Sequence, residues 1–147
     1  MSIHKYFTEE NKLQITNAIR VAETNTSGEI RVHIEKHCKS DVLDRAAYIF
    51  DKLEMQKTQL RNGVLFYLAV EDRKFAILGD AGINEKVADD FWEEIKEDVI
   101  ASFKENRFAE GLSNGIIKAG EQLKAHFPYQ DDDVNELSDE ISFGDNN

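Results

Sequence analysis

The sequence predicts an α/β fold, an α/β/α sandwich in which a small mixed β-sheet is flanked by helices on both faces. Three observations predict it. Helical and strand periodicities follow one another in the order α-β-α-β-β-α-α. Residues 62–70 form an almost continuous apolar run, as suits a strand covered on both faces. A helix separates the first two strands, which makes them parallel. A short polar link joins the second and third, which makes them antiparallel.

The first helix starts at Thr8, a good N-cap, with Glu9 and Glu10 in the positively polarised first turn. Leu13, Ile15, Ala18, Ile19 and Ala22 give its apolar stripe, and a polar stretch ends it at Gly28. The next segment alternates: Ile30, Val32 and Ile34 share one face, while Arg31, His33 and Glu35 share the other. That pattern predicts a half-buried strand. Ser40 is the expected cap of a second helix, with Asp41 and Asp44 in its first turn and Leu43, Ala46, Ala47, Phe50 and Leu53 on its buried face. The strand at 62–70 and the run 75–79 then flank the polar link 71–74, which lacks glycine.

The last third reads as helical. Phe91, Trp92, Ile95, Val99 and Phe103 fit one helix, and Leu112, Ile116, Ala119, Gly120, Leu123 and Phe127 another, joined through residues 106–108. Gly111, Gly115 and Gly120 lie inside the last helix, where glycine is costly. They imply a close approach of that helix to the sheet. Pro128, the only proline, is a stop signal.

The 147 residues suit one domain with one core. The net charge of −11 argues against sequence-independent nucleic-acid binding and against docking on anionic lipid. No run approaches the ~20 apolar residues of a membrane span, and the N-terminus has no apolar signal core, so a cytoplasmic location is expected. The single cysteine, Cys38, excludes a disulfide framework. Residues 131–147 hold seven acids and no base. The expected division is a domain over 1–130 and an acidic, flexible tail over 131–147. Asp131, Asp133 and Asn135 have the spacing of the first EF-hand ligands. Glu136 and Ser142 stand where that loop requires glycine and glutamate, so no EF-hand is expected.

The topology also predicts where chemistry gathers. The starts of the first two strands and the end of the third lie at one end of the sheet. That near end collects Ser27, Gly28 and Glu29, then Arg61, Asn62 and Gly63, then 79–84, opening onto a helix expected to hold Asp89 and Asp90. Carboxylates, amide oxygens and carbonyls on glycine-bearing loops are the hard oxygen donors that Ca²⁺ or Mg²⁺ requires. The alternative is that they are ordinary turn and capping residues. The far end collects Glu35, Asp41, Asp44, Glu71 and Asp72, which helix starts and turns explain. His4, His33, His37 and His126 form no metal pair and are expected at the surface. Cys38 reads as a free thiol without an orienting base. No Walker A, Rossmann, G-x-S-x-G or H-E-x-x-H pattern is present.

Several segments together resemble a known family: Asn25-Thr26-Ser27-Gly28-Glu29-Ile30, Asp44-Arg45-Ala46, Arg61-Asn62-Gly63-Val64-Leu65, Asp72-Arg73-Lys74, Gly79-Asp80-Ala81-Gly82-Ile83 and the stretch 103–111. In order and spacing they are similar to the TPM domain of thylakoid-lumen, photosystem-associated and nematode membrane proteins, over residues 8–128. The resemblance implies an α/β/α sandwich, divalent-cation binding in some members and weak acid phosphatase activity in plant members. Many members serve membrane-associated repair or assembly. The family's glycine-acid loops fall on Gly63, Gly79 and Gly82. Two departures matter. Arg61 stands where many relatives carry an acid before Asn-Gly, and Asn84 follows Ile83 where many have Gly-x-Glu. Most relatives also carry a signal peptide and a membrane helix, so a lumenal or envelope role is not expected to transfer.

Three functional readings follow. The first is a cytoplasmic binding module holding Ca²⁺ or Mg²⁺ through Glu29, Asn62, Asp80, Asn84 and Asp89. The second is metal-assisted hydrolysis of a phosphate monoester, with Arg61 contacting phosphate and Asp80 or Glu29 positioning water. The third is a protein-interaction module without metal, using the acidic tail or an apolar groove.

Overall fold

The computed structural model describes residues 3–129 and 137–144. After a 3-10 turn at Ile3–Lys5, the elements are α1 (Glu9–Asn25), β1 (Glu29–Glu35), α2 (Val42–Lys52), β2 (Gly63–Ala69), β3 (Lys74–Gly79), the one-turn α3 (Ala81–Asn84), α4 (Glu93–Lys104), α5 (Phe108–Leu123) and β4 (Ser142–Phe143). The sheet order is β3-β2-β1-β4. β1 runs parallel to β2 with Glu29 opposite Gly63, and β3 runs antiparallel to β2 with Gly79 opposite Val64.

Helices cover both faces. Ile30, Val32, Ile34, Val64, Phe66 and Leu68 face the side packed by α1, α4 and α5. Leu65, Tyr67, Ala69 and Ala76 face α2. β2 is buried along its whole length, as its apolar run requires. The three glycines of α5 allow close approach, but to helices more than to the sheet. A Cβ on Gly115 would stand 2.6 Å from Val99 of α4, and one on Gly120 would stand 2.7 Å from Ala22 of α1.

Local chemistry sets the element ends. Thr8 and Asn11 cap α1 reciprocally, each side chain accepting from the other's backbone N–H at 3.1 Å. Leu13 is 61 % exposed rather than core, because it lies about 200° around the helix from Ile15. The cap of α2 is Asp41, not Ser40: its carboxylate accepts from Leu43 N–H and Asp44 N–H. Leu43 and Ala47 consequently face solvent, and Ile49 joins Ala46 and Phe50 inside. The link between β2 and β3 turns through Arg73 at φ 53° instead of glycine. Its guanidinium bonds Phe103 O and the Asn106 side chain, each at 3.1 Å, which holds the turn. Asp89 and Asp90 stand in an exposed turn between α3 and α4, not in a helix.

The sheet is wider than the expected 1–130 domain provides. Residues 137–144, inside the segment expected to be a free tail, supply β4, parallel to β1 with His33 opposite Ser142 and Ile34 opposite Phe143. The expected EF-hand-like residues 131–136 lie outside the described residues. No helix among the described residues is long and apolar enough to cross a membrane.

Candidate functional site

The near end forms as the topology requires. Asp80 N–H donates to Gly63 O at 2.9 Å, Glu29 N–H to Asn62 O at 3.2 Å, and Gly82 N–H to Arg61 O at 2.9 Å. These bonds join the loops before β1 and β2 to the loop after β3. Gly82 is required here, since a Cβ on it would lie 2.1 Å from Leu60 O. Thr26, buried at the end of α1, donates its hydroxyl to Phe127 O and accepts from Gly28 N–H at 3.1 Å. This ties the chain after α5 to the entrance of β1.

The expected site residues are placed as follows. Glu29, Asn62 and Asp80 meet at this end, and all three are buried. Arg61 forks onto Asp80 through Nε and Nη2, both at 2.8 Å, and Ala81 N–H takes the same carboxylate at 2.7 Å. Asp80 is thus an ion-pair and capping residue, and the Arg61 guanidinium is occupied by protein. Arg61 itself sits at φ 51°, a left-handed position that the fork and the Gly82 bond hold. The Asn62 side chain donates to Ser27 O at 3.3 Å, and that of Asn84 to Gly79 O at 3.2 Å. Among the described residues no group of three or more His, Cys, Asp or Glu stands ready to hold a metal ion. Glu29, Asn62 and Asp80 are buried at this end of the sheet, whereas Asn84 and Asp89 are exposed.

Two carboxylates that sequence reasoning missed, Glu23 and Asp139, meet near the start of β1. Glu23 of α1 accepts from Ile30 N–H at 3.3 Å and hydrogen-bonds the Asp139 side chain. Burial pushes the Glu23 carboxyl up to about 9, and the neighbouring Asp139 and Glu29 charges add to this. Glu29 accepts from Leu137 N–H at 2.6 Å. The signal for Glu23 is in the sequence: it lies four residues after Ile19 on the buried stripe of α1. Asp139 lies in the segment assigned to the tail.

A second polar set lines the α2 face of β1, where surface residues are expected. His33 and Glu35 are instead 4 % and 1 % exposed. Arg45 of α2 forks onto Glu35 at 2.9 Å for both bonds, and Tyr67 OH donates to the same carboxylate. Burial alone would raise the Glu35 carboxyl, but Arg45, His33 and Tyr67 override it and hold it well below the usual carboxylate range. An ionised Glu35 only accepts, so His33 Nε2 donates to it at 3.4 Å, while His33 Nδ1 is hydrogen-bonded to the Ser142 hydroxyl at 2.9 Å. Cys38, expected to be a free thiol, is buried and donates to Ser40 O.

With this geometry in hand, the chain compares with known proteins as follows. The family model of the TPM domain matches residues 3–122. A comparison with curated proteins gives no match. Among solved structures, the BA42 protein of the psychrophilic bacterium Bizionia argentinensis is similar at 50 % identity. The match covers 97 % of this chain and 99 % of that one, with a TM-score of 0.91. The N-terminal domain of a protein from P. gingivalis shares the fold at 16 % identity, 85 % and 81 % coverage and a TM-score of 0.70. The N-terminal domain of the cg2496 protein from Corynebacterium glutamicum shares it at 13 % identity, 95 % and 80 % coverage and a TM-score of 0.61.

Proposed function

From the premise that the chain belongs to the TPM domain family, we propose that it is a binding module that takes Ca²⁺ or Mg²⁺ on the carboxylates of Glu23, Glu29 and Asp139. One observation carries the reading. The Glu23 carboxyl hydrogen-bonds the Asp139 side chain, and burial, with the Asp139 and Glu29 charges beside it, raises its pKa. As they stand the three acids form no ready ion site, so an ion would have to draw Glu29 and Asp139 in around Glu23. A divalent cation is the other way to neutralise such a group, and carboxylate oxygens are its preferred donors. Binding would displace the Glu23 proton and draw Glu29 from Leu137 N–H. The phosphatase reading gains no support from Arg61, because Asp80 engages its guanidinium.

The test is a titration of the ¹⁵N-labelled chain with Ca²⁺ and then Mg²⁺. Saturable amide shifts over residues 22–30 and 137–140 are expected, weakened at least tenfold by Glu23→Gln with Asp139→Asn. No shift there at 10 mM of either ion, or the same shifts in the double variant, overturns the reading.

A further inference from the structure

We propose that the trench along the outer edge of β1 is a docking groove for an extended peptide of a partner protein, and that residues 137–144 are its occupant in cis. The proposal does not depend on cation binding.

The groove is built from side chains that alternate along β1 toward the α2 face, and each engages the C-terminal segment. Glu29 accepts from Leu137 N–H at 2.6 Å, Arg31 donates to Glu140 O at 3.3 Å, and His33 Nδ1 is hydrogen-bonded to the Ser142 hydroxyl at 2.9 Å. Gly144 N–H closes the row on Ile34 O at 2.9 Å. Leu137 packs against the α2-side core, and Lys12 stands 5.3 Å over the Phe143 ring. This is strand addition: main-chain bonds give affinity, and alternate side chains give register.

Two observations say that the cis segment is an incomplete occupant. It pairs with only His33 and Ile34 of the seven residues of β1. Beneath it, Arg31 Nε is buried with no hydrogen-bond partner, a donor that a better-matched strand would satisfy. Phe143 and Gly144 also line a cavity of about 180 Å³ whose other walls include His33, Glu35, Arg45 and Lys52. The cis segment thus spells the chemistry of the partner. It is an extended strand with an apolar anchor, then four residues later an apolar-hydroxyl-aromatic-small run. Such a strand gains by pairing with more of β1 than the cis segment does.

The experiment uses the full chain in EDTA, so that a failure of the cation reading leaves it untouched. A fluorescein-labelled peptide with the sequence of residues 137–145 is titrated by anisotropy into the wild type and into Ser142→Pro with Gly144→Pro. The double variant removes the His33 contact and the Ile34 bond in cis while leaving the groove intact. The variant is expected to bind at least tenfold more tightly than wild type, to lose that binding when His33→Ala is added, and to ignore a scrambled peptide. Equal or absent binding in a variant whose β1 amide shifts show the segment released overturns the proposal. Should the variant not fold, the ¹⁵N-labelled wild type is titrated with excess unlabelled peptide. Signals of 137–144 are then expected to move to their unbound positions, and no movement at several millimolar overturns it. The same movement produced by raising the concentration of the chain alone would make the occupant a second copy, and overturns the partner-protein form.

Discussion

Replacing Asp80 by asparagine separates two roles that one side chain could play. Its carboxylate is 5 % exposed, receives two Arg61 bonds at 2.8 Å and accepts from Ala81 N–H. Asparagine retains the cap, since Asn and Asp are equally good N-cap residues. It loses the charge and one of the two oxygens of the fork. An exposed ion pair contributes roughly 0.2–1 kcal/mol, and a bidentate pair with one buried partner stands above that range. Arg61 is 51 % exposed, which limits the gain through solvent screening. The expected cost of Asp80→Asn is therefore about 1–2 kcal/mol. For a chain of this size that lowers Tm by roughly 3–8 °C. Thermal unfolding by circular dichroism reads the cost, and a Ca²⁺ titration of the same variant reads its role in binding. The reasoning expects the lower Tm with cation affinity within about twofold of wild type. An unchanged Tm with tenfold weaker binding would refute it and return the ion to the loops at 61–63 and 79–84.

Three further substitutions follow from the same geometry. Gly82→Ala places a Cβ 2.1 Å from Leu60 O and 2.7 Å from Arg61 O, so backbone must move; a loss of about 3 kcal/mol is expected, read as a drop in the urea midpoint. Glu35 is held below its unfolded value by Arg45, so its contribution is present above pH 4.5 and fades as pH falls toward its folded value. Glu35→Gln should therefore destabilise the chain at neutral pH and flatten the acid limb of its stability curve. Glu23 has the opposite sign, with a folded value of about 9 against 4.5 unfolded. Its contribution is full below pH 4.5 and declines as pH rises to 9, so Glu23→Gln should remove that decline in denaturation curves taken from pH 5 to 9.

The layers and the topology were legible because periodicity reports directly on burial. Ile15, Ala18, Ile19 and Ala22 occupy one face of α1, and 63–69 form a strand buried throughout, both as read. The misreadings share one cause: local pattern ignores what a distant segment covers. His33 and Glu35 alternate with apolar residues, which reads as a solvated face, yet Arg45, Tyr67 and Ser142 bury and satisfy them. A charged residue on a strand is exposed unless a partner arrives, and Ser142 arrives from 109 positions away. The near end was placed correctly by topology, but the partners of its side chains could not be read from local pattern. Whether Asp80 faces a cation or a guanidinium depends on Arg61, whose fork is a tertiary fact.

The strand that completes the sheet is also the one composition hides. A segment with seven acids and no base reads as solvated. Within it, Leu137, Ile141 and Phe143 sit among the acids at even and near-even spacing, enough for a short strand and too little for a core. β1 supplies the rest: Glu29, Arg31 and His33 are polar because the segment they receive presents backbone and a hydroxyl rather than an apolar face. Polar residues on the buried face of β1 are therefore the trace, in the sequence, of a strand bound at its edge. The Glu23–Asp139 contact adds a charge term to the same docking, so a change in the protonation of Glu23 changes how firmly the segment lies on β1. If the proposed cation and the proposed peptide both bind, linkage through that one segment requires each to alter the affinity of the other.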